Sequence, residues 1–299
     1  MKKRSPSHGG RVISFDVEVL SKDSPSFWSS PFILGSNDHG YLILSHVLAD
    51  LSLYRASILD IKNPSYSSTF YSDTGVFNAS FSDYGFGSTR PSDGLSELRT
   101  WSTVPGTEFD LTFESTSPVL LNGGLGVFKA GNAMVYEWRM PADKTRGWLN
   151  VNGTRVVVDT ARSLTWYDRQ WGGAPPNWSW FELHLENVNG TDVPLSIWGC
   201  LATIRDGGVQ RVVSVASLET SGRTYTSEAS GATYPLDWTL SLANGIVVSM
   251  SSVREDQELY SPGGKLPTYE GYVTVTGVYK GCQKVGGYSL IEVTSPGAL

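Results

Sequence analysis

The sequence is poor in cysteine, histidine and charge, and each shortage excludes something. Cys200 and Cys282 are the two cysteines in 299 residues, so one bridge between them is the most that can form. The four histidines, His8, His39, His46 and His184, show no H-x-H or H-E-x-x-H spacing. The common zinc signatures are therefore missing, and no metal is expected, although His39 beside Asp38 and His184 near Glu182 have the chemistry for one. Charged residues are 17% of the chain and the net charge is -6, which leaves no basic stripe for a nucleic acid. No apolar run approaches the ~20 residues of a membrane-spanning helix. A G-x-S-x-G elbow, a P-loop lysine and a dinucleotide fingerprint are all lacking. The expected cofactor is none, and the expected partner is a hydrophobic small molecule, with the chain a monomer or homodimer.

What the chain has instead is aromatics, at 12%, and 32 glycines and 15 prolines that punctuate many short segments. Alternating runs recur every roughly 8–12 residues, and Asn152-Gly153 and Asn244-Gly245 read as hairpin turns. No 3.6-residue period lasts beyond about three turns. The pattern predicts an all-β protein with few short helices. Arg11 to Leu20 reads as a strand, Ser21 to Ser30 as a Ser/Pro-rich loop and Asn63 to Thr74 as turns. Met134 to Met140 and Trp148 to Val158 read as separate strands. A boundary near 158/159 gives a tail at 1–10, an N-terminal β domain at 11–158 and a C-terminal β domain at 159–299.

The most informative stretch is Ser163 to Glu186, SLTWYDRQWGGAPPNWSWFELHLE. Side chains alternate along a strand with period two. Trp166, Asp168 and Gln170 then share one face of the first run, and Tyr167, Arg169 and Trp171 share the other. In the second run Trp178, Trp180, Glu182, His184 and Glu186 line one face, with Phe181, Leu183 and Leu185 behind. Paired antiparallel, the runs carry an aromatic-plus-acid face and an oily one. A carboxyl walled by tryptophans has its proton affinity raised. Asp168 is thus a candidate acid, its plain structural alternative being an ion-paired or turn-capping aspartate.

Trp166-Tyr167-Asp168-Arg169-Gln170-Trp171-Gly172, followed by Trp180-Phe181, resembles the aromatic-x-Asp-x-x-Trp-Gly signature of a lipocalin-like superfamily. Its members are carotenoid 1,2-hydratases, kievitone hydratases and fungal Diels–Alderases. Tyr269-Glu270-Gly271 with Gly287-Tyr288 and Glu292 is similar to its C-terminal E-G … G-Y … E pattern. The resemblance implies two β halves: a sandwich or barrel-like N-terminal one and a lipocalin-like C-terminal barrel, with a pocket between or inside them. Asp168 falls on the aspartate implicated as an acid in the hydratases. Trp166 replaces a tyrosine common in the family, and Arg169 and Gln170 replace the Lys-Asn of some Diels–Alderases. The wording is closest to the hetero-Diels–Alderases of fungal tropolone-sesquiterpenoid pathways. The leading expectation is therefore a cofactor-free cyclase that holds an apolar polyene or terpenoid against an oxygenated diene. Asp168, Arg169 and Gln170 are its catalytic candidates. Trp166, Tyr167, Trp171, Trp180, Glu182, His184 and Arg139 are its binding candidates. The alternatives are a hydratase or dehydratase acting on an isolated double bond, and a lipocalin-like carrier.

The start, MKKRSPSHGG, lacks the apolar core of a signal peptide. Four N-x-S/T sequons, at Asn78, Asn152, Asn177 and Asn189, nevertheless exceed the about two expected by chance. They point to the secretory pathway or the cell exterior, with the cytoplasm as the alternative.

Overall fold

A computed structural model describes residues 26–48, 53–63, 66–72, 83–90, 95–173, 178–186, 192–206, 208–260, 267–279, 281 and 283–294. The expected strand at Arg11 to Leu20 lies outside them. The first sheet comprises β1 (Ser26–Leu34), β2 (Gly40–Leu48), β3 (Leu53–Asp60), β4 (Tyr66–Ser72), β5 (Tyr84–Ser88) and β6 (Glu97–Ser102). It continues with β7 (Phe109–Glu114), β8 (Leu120–Leu121), β9 (Val127–Ala130), β10 (Ala133–Val151), β11 (Thr154–Val157) and β12 (Leu164–Gly172). Then come β13 (Trp178–Glu186), β14 (Asp192–Trp198), β15 (Leu201–Asp206), β16 (Val209–Thr220), β17 (Thr224–Thr226) and β18 (Thr233–Pro235). The chain closes with β19 (Asp237–Leu242), β20 (Val247–Ser252), β21 (Glu258–Leu259), β22 (Thr268–Tyr279) and β23 (Gln283–Thr294). Helical structure among the described residues is one 3-10 turn, Asn122–Gly124. No helix among them is long and apolar enough to cross a membrane. The all-β, two-part architecture is as expected.

The first sheet runs β4-β3-β2-β1-β12-β10-β7-β6-β5. The second runs β20-β19-β16-β15-β14-β13-β23-β22, and a β20–β22 ladder closes it into a barrel. The change of sheet falls between Gly172 and Trp178, downstream of the expected 158/159 division, because β12 pairs with β1 and β10. Two segments read as loop or turn are strands, β1 and β4. In β1 the serines are not exposed: Ser29 and Ser30 are buried, and Ser30 has a charged partner across the molecule. Burial overrides their modest strand propensity. Met134 to Met140 and Trp148 to Val151 belong to one strand, β10, whose register breaks between Met140 and Asp143, and Thr154–Val157 turns back on it as β11. Pro141 lies in that break, where a missing N–H costs least. Asn152 and Gly153, at φ 50 and 78, make the expected hairpin turn.

Both cores follow from alternation. Phe181, Leu183 and Leu185 point into the barrel and pack with Leu195, Ile197, Trp238 and Leu240. Each such side chain contributes about 1.5–3 kcal/mol when removed from water. Tyr167, Trp138, Met140 and Phe113 fill the separate core of the first sheet. The remaining face of each sheet is turned toward the other. Between them lies a third cluster, which includes Trp28, Phe32, Trp166, Trp180, Trp198 and Leu290.

A candidate active site between the sheets

β12 and β13 do not pair with each other. Both edges of β12 are taken by β1 and β10, and both edges of β13 by β14 and β23. Gly172 ends β12 at φ 89, and a Cβ there would lie 2.7 Å from Met134 O, so glycine allows the chain to leave the first sheet. The aromatic-plus-acid faces expected side by side are therefore opposed, one from each sheet.

Their registers organise the layer. Arg55, His46, Trp28, Asp168 and Arg139 form one transverse row across β3, β2, β1, β12 and β10. Glu270, Glu292, Trp180 and Trp198 form a row across β22, β23, β13 and β14. Gly287 permits the close β13–β23 approach, since a Cβ there would sit 2.0 Å from His184 O. The rows meet: the Trp28 and Trp180 rings are 4.9 Å apart, edge to face, and the Arg139 guanidinium lies 5.1 Å from the Trp180 ring centre.

Charge is concentrated here. Glu137, Asp168, Glu182, Glu270 and Glu292 are all buried, with Arg55 and Arg139 as cations. Arg139 Nε donates to Asp168 Oδ1 at 2.9 Å, and its Nη2 donates to Glu137. Burial pushes Asp168 up to about 6 although Arg139 pulls it down, and the Glu292 charge adds to the rise. Burial also pushes Glu182 up to about 7, opposed by His184 and by the Ser30 hydroxyl, which donates to it at 2.7 Å. His184 Nε2 stands 3.5 Å from Glu182 Oε1. Arg55 Nη2 donates to Glu270 Oε1 at 2.6 Å and to Glu292 Oε1 at 2.9 Å. Burial and the Glu292 charge raise Glu270 well above the usual carboxylate range. Arg55 Nε donates to His46 Nδ1 at 2.8 Å, which puts the neutral ring's proton on Nε2, facing Ser26. Burial and Arg55 hold His46 well below its ordinary value.

His46, Glu270 and Glu292 bring ligand-type atoms within 4.8 Å of one another, as a metal site would. Each of the three bonds Arg55, whose guanidinium supplies the positive charge at that point. The donor set therefore fits an arginine better than a metal ion.

Two cavities open at either end of the outward face of β13. One, of about 490 Å³, is lined by Phe128, Trp178, Trp198, Cys200 and Leu201 among others, a volume in the range of small-molecule pockets. Its tryptophans reach the acids: Trp178 Nε1 donates to Glu292 Oε2 at 2.8 Å, and Trp198 Nε1 donates to Glu137 Oε1 at 3.1 Å. The other, of about 230 Å³, is walled by Phe32, Tyr41, Tyr272 and Tyr288, and Tyr288 stacks on His184 at 4.9 Å. Trp178 and His184, six positions apart on one strand, set the ends roughly 20 Å apart.

The layer thus gathers Trp166, Asp168, Trp180, Glu182, His184 and Arg139 from the expected site residues. Gln170 is half-buried at the end of the Asp168 face. Tyr167 faces the core of the first sheet instead. Arg169 is also on that side, donating to Ser26 O and Gln170 O with its guanidinium 4.2 Å from the Phe27 ring centre. Trp171 stacks on Tyr136. Arg169, Tyr167 and Trp171 therefore lie on the face of β12 turned away from Asp168. Arg55, His46, Glu137 and Ser30 are not among the residues the sequence singles out, and Glu270 and Glu292 stand out there only as part of a motif. Cys200 is an exposed free cysteine, against the bridge that composition allowed, and Cys282 lies outside the described residues. Asn152 is exposed, whereas Asn78, Asn177 and Asn189 lie outside the described residues.

Comparison with known proteins agrees with this picture. Residues 70–294 match the AttH-like family. The chain is 35% identical over 291 residues to kievitone hydratase of Fusarium solani subsp. phaseoli, covering 90% of this chain and 82% of that one. It is 32% identical over 281 residues to the dehydratase asqC of Emericella nidulans, covering 85% and 80%. The crystal structure of kievitone hydratase from Nectria haematococca superposes with a TM-score of 0.83 at 31% identity, over 96% of this chain and 94% of that one. An AttH protein from Nitrosomonas europaea shares the fold at a TM-score of 0.73 and 19% identity, over 98% and 99% of the two chains. The resemblance read from the central motif is borne out.

Proposed function

Because the chain belongs to the AttH-like family and has a hydratase and a dehydratase among its relatives, we propose that it is a hydro-lyase. It adds water to, or removes water from, a hydrophobic small molecule. The observation that carries this reading is Asp168, buried beside Trp166 and held near a proton affinity of about 6. A carboxyl tuned toward neutrality gives and takes a proton readily. In hydration Asp168 gives its proton to an alkene carbon, water attacks the resulting cation and a second group takes the water's proton. Dehydration is the same path reversed. Trp28, Trp166 and Trp180 supply flat walls for the apolar part of the substrate and for the cation.

The cyclase expectation shares those walls, but a cycloaddition moves no protons and has no use for this many buried acids. The carrier alternative is disfavoured by the barrel, whose interior is packed with its own side chains where a carrier would hold ligand. The test is incubation with kievitone and a panel of hydrophobic alkenes and alcohols, read by mass spectrometry. Gain or loss of one water is expected. A product of unchanged mass would favour the cyclase, and no product from any compound would refute the proposal.

A further inference from the structure

An arginine and a carboxylate commonly close with two parallel bonds. Arg55 and Glu270 make only one, between Nη2 and Oε1. Arg55 Nη1 and Glu270 Oε2 are both buried without a hydrogen-bond partner among the described residues. Both oxygens of the neighbouring Glu292 are engaged, one by Arg55 and the other by Trp178. The cluster therefore leaves open one donor and one acceptor, on two groups already joined. Unmet buried polar atoms are costly, so such a pair suits an oxygen that accepts from one side and donates to the other. Water and an alcohol do both. The cluster also shares the layer with the proposed acid: the Glu292 charge raises Asp168, and Arg55 and Asp168 stand on one row of the first sheet.

We infer that Arg55 and Glu270 hold the oxygen that is added or removed, and that Glu270 exchanges that oxygen's proton. This rests on the hydro-lyase reading. In hydration the Asp168 O–H bond breaks as a C–H bond forms with the alkene electrons. The water lone pair then makes the C–O bond, and the proton released from that oxygen passes to Glu270 in its ionised form, which its raised proton affinity makes a strong base. In dehydration Glu270 returns the proton to the hydroxyl, the C–O bond breaks, water leaves and Asp168 takes the proton from the adjacent carbon. Solvent exchange restores both carboxyls. Arg55 is the positioning residue, and Glu270 is the catalytic one.

The experiment follows the two half-reactions separately in the hydration direction, starting from the alkene of the pair that gains or loses water in the screen above. Reactions run in ¹⁸O-enriched water report oxygen transfer, and reactions in deuterium oxide report exchange at carbon in recovered substrate. Glu270→Gln should lose about 100-fold or more of ¹⁸O incorporation while keeping carbon exchange within a few-fold. Glu270→Asp, which keeps the acid but retracts it, should fall between. Asp168→Asn should lose both signals. If folded Glu270→Gln keeps both signals, or loses both, the assignment is wrong and the hydro-lyase reading stands. If Gln unfolds the chain, Asp carries the test: full ¹⁸O incorporation in Glu270→Asp also overturns it. Wild-type alcohol formed from the alkene free of solvent ¹⁸O would sink the hydro-lyase reading itself.

Discussion

Replacing Asp168 by asparagine sets activity against stability in a way that an ordinary ion pair would not. An ion-paired aspartate holds its proton less tightly when folded, and its removal costs stability. Asp168 does the reverse: burial outweighs Arg139 and raises it from 3.8 to about 6. A carboxyl whose folded value lies above its unfolded value opposes folding once ionised. The penalty is absent below about pH 4, grows between about 4 and 6, and is complete above that. At about 1.4 kcal/mol per unit, a rise from 3.8 to about 6 is worth roughly 3 kcal/mol. Asparagine cannot ionise, retains an oxygen to accept from Arg139 Nε, and leaves Arg139 its bond to Glu137. The variant should melt several degrees higher than the wild type at pH 8 and no higher at pH 4. Its turnover should fall on the order of 10²–10⁴-fold. The assays are thermal melts at the two pH values and steady-state rates on the compound found by the screen. A variant that melts lower at pH 8, or that turns over normally, would refute the reasoning on stability or on chemistry respectively.

Two further expectations follow from the surface. Cys200 is exposed and lines the larger cavity, so a bulky maleimide on it should slow turnover, and Cys200→Ser should be immune; equal rates with and without the label would mean that substrate does not enter there. Asn152 is exposed at the tip of a tight hairpin within an Asn-Gly-Thr sequon, so protein secreted from a eukaryotic host should lose mass on glycosidase treatment; an unchanged mass would favour the cytoplasm.

Much of the site was legible where it depended on alternation within one strand. Period two put Trp166 with Asp168, and Trp180 with Glu182 and His184, and both groupings hold. The same rule already set Arg169 opposite Asp168, and the structure keeps it there, over Phe27. Hairpins were legible because Asn-Gly turns are local. Sheet membership was not: whether β12 and β13 pair or oppose depends on which strands compete for their edges. Nor was the Arg55 cluster, whose members lie 215 and 237 positions from their carboxylates. No spacing rule spans such distances, and in isolation an arginine at 55 and glutamates at 270 and 292 read as surface charge. Ser30 was hidden for a related reason, since its strand looked like a loop until Glu182 supplied its partner.

The rows proposed to carry the chemistry are anchored in different sheets, so their separation is a docking distance and not a property of either core. Peripheral contacts help to set it: Gln210 of β16 bonds the backbone at Leu121 and Gly124, and Thr203 of β15 bonds Asn122. A small tilt at that margin would move Asp168 relative to Glu182 and Glu292 while leaving each side chain in place on its own sheet. Substrate preference can thus be retuned by residues that never meet a substrate, much as the throw of a vice is set at its screw and felt at its jaws.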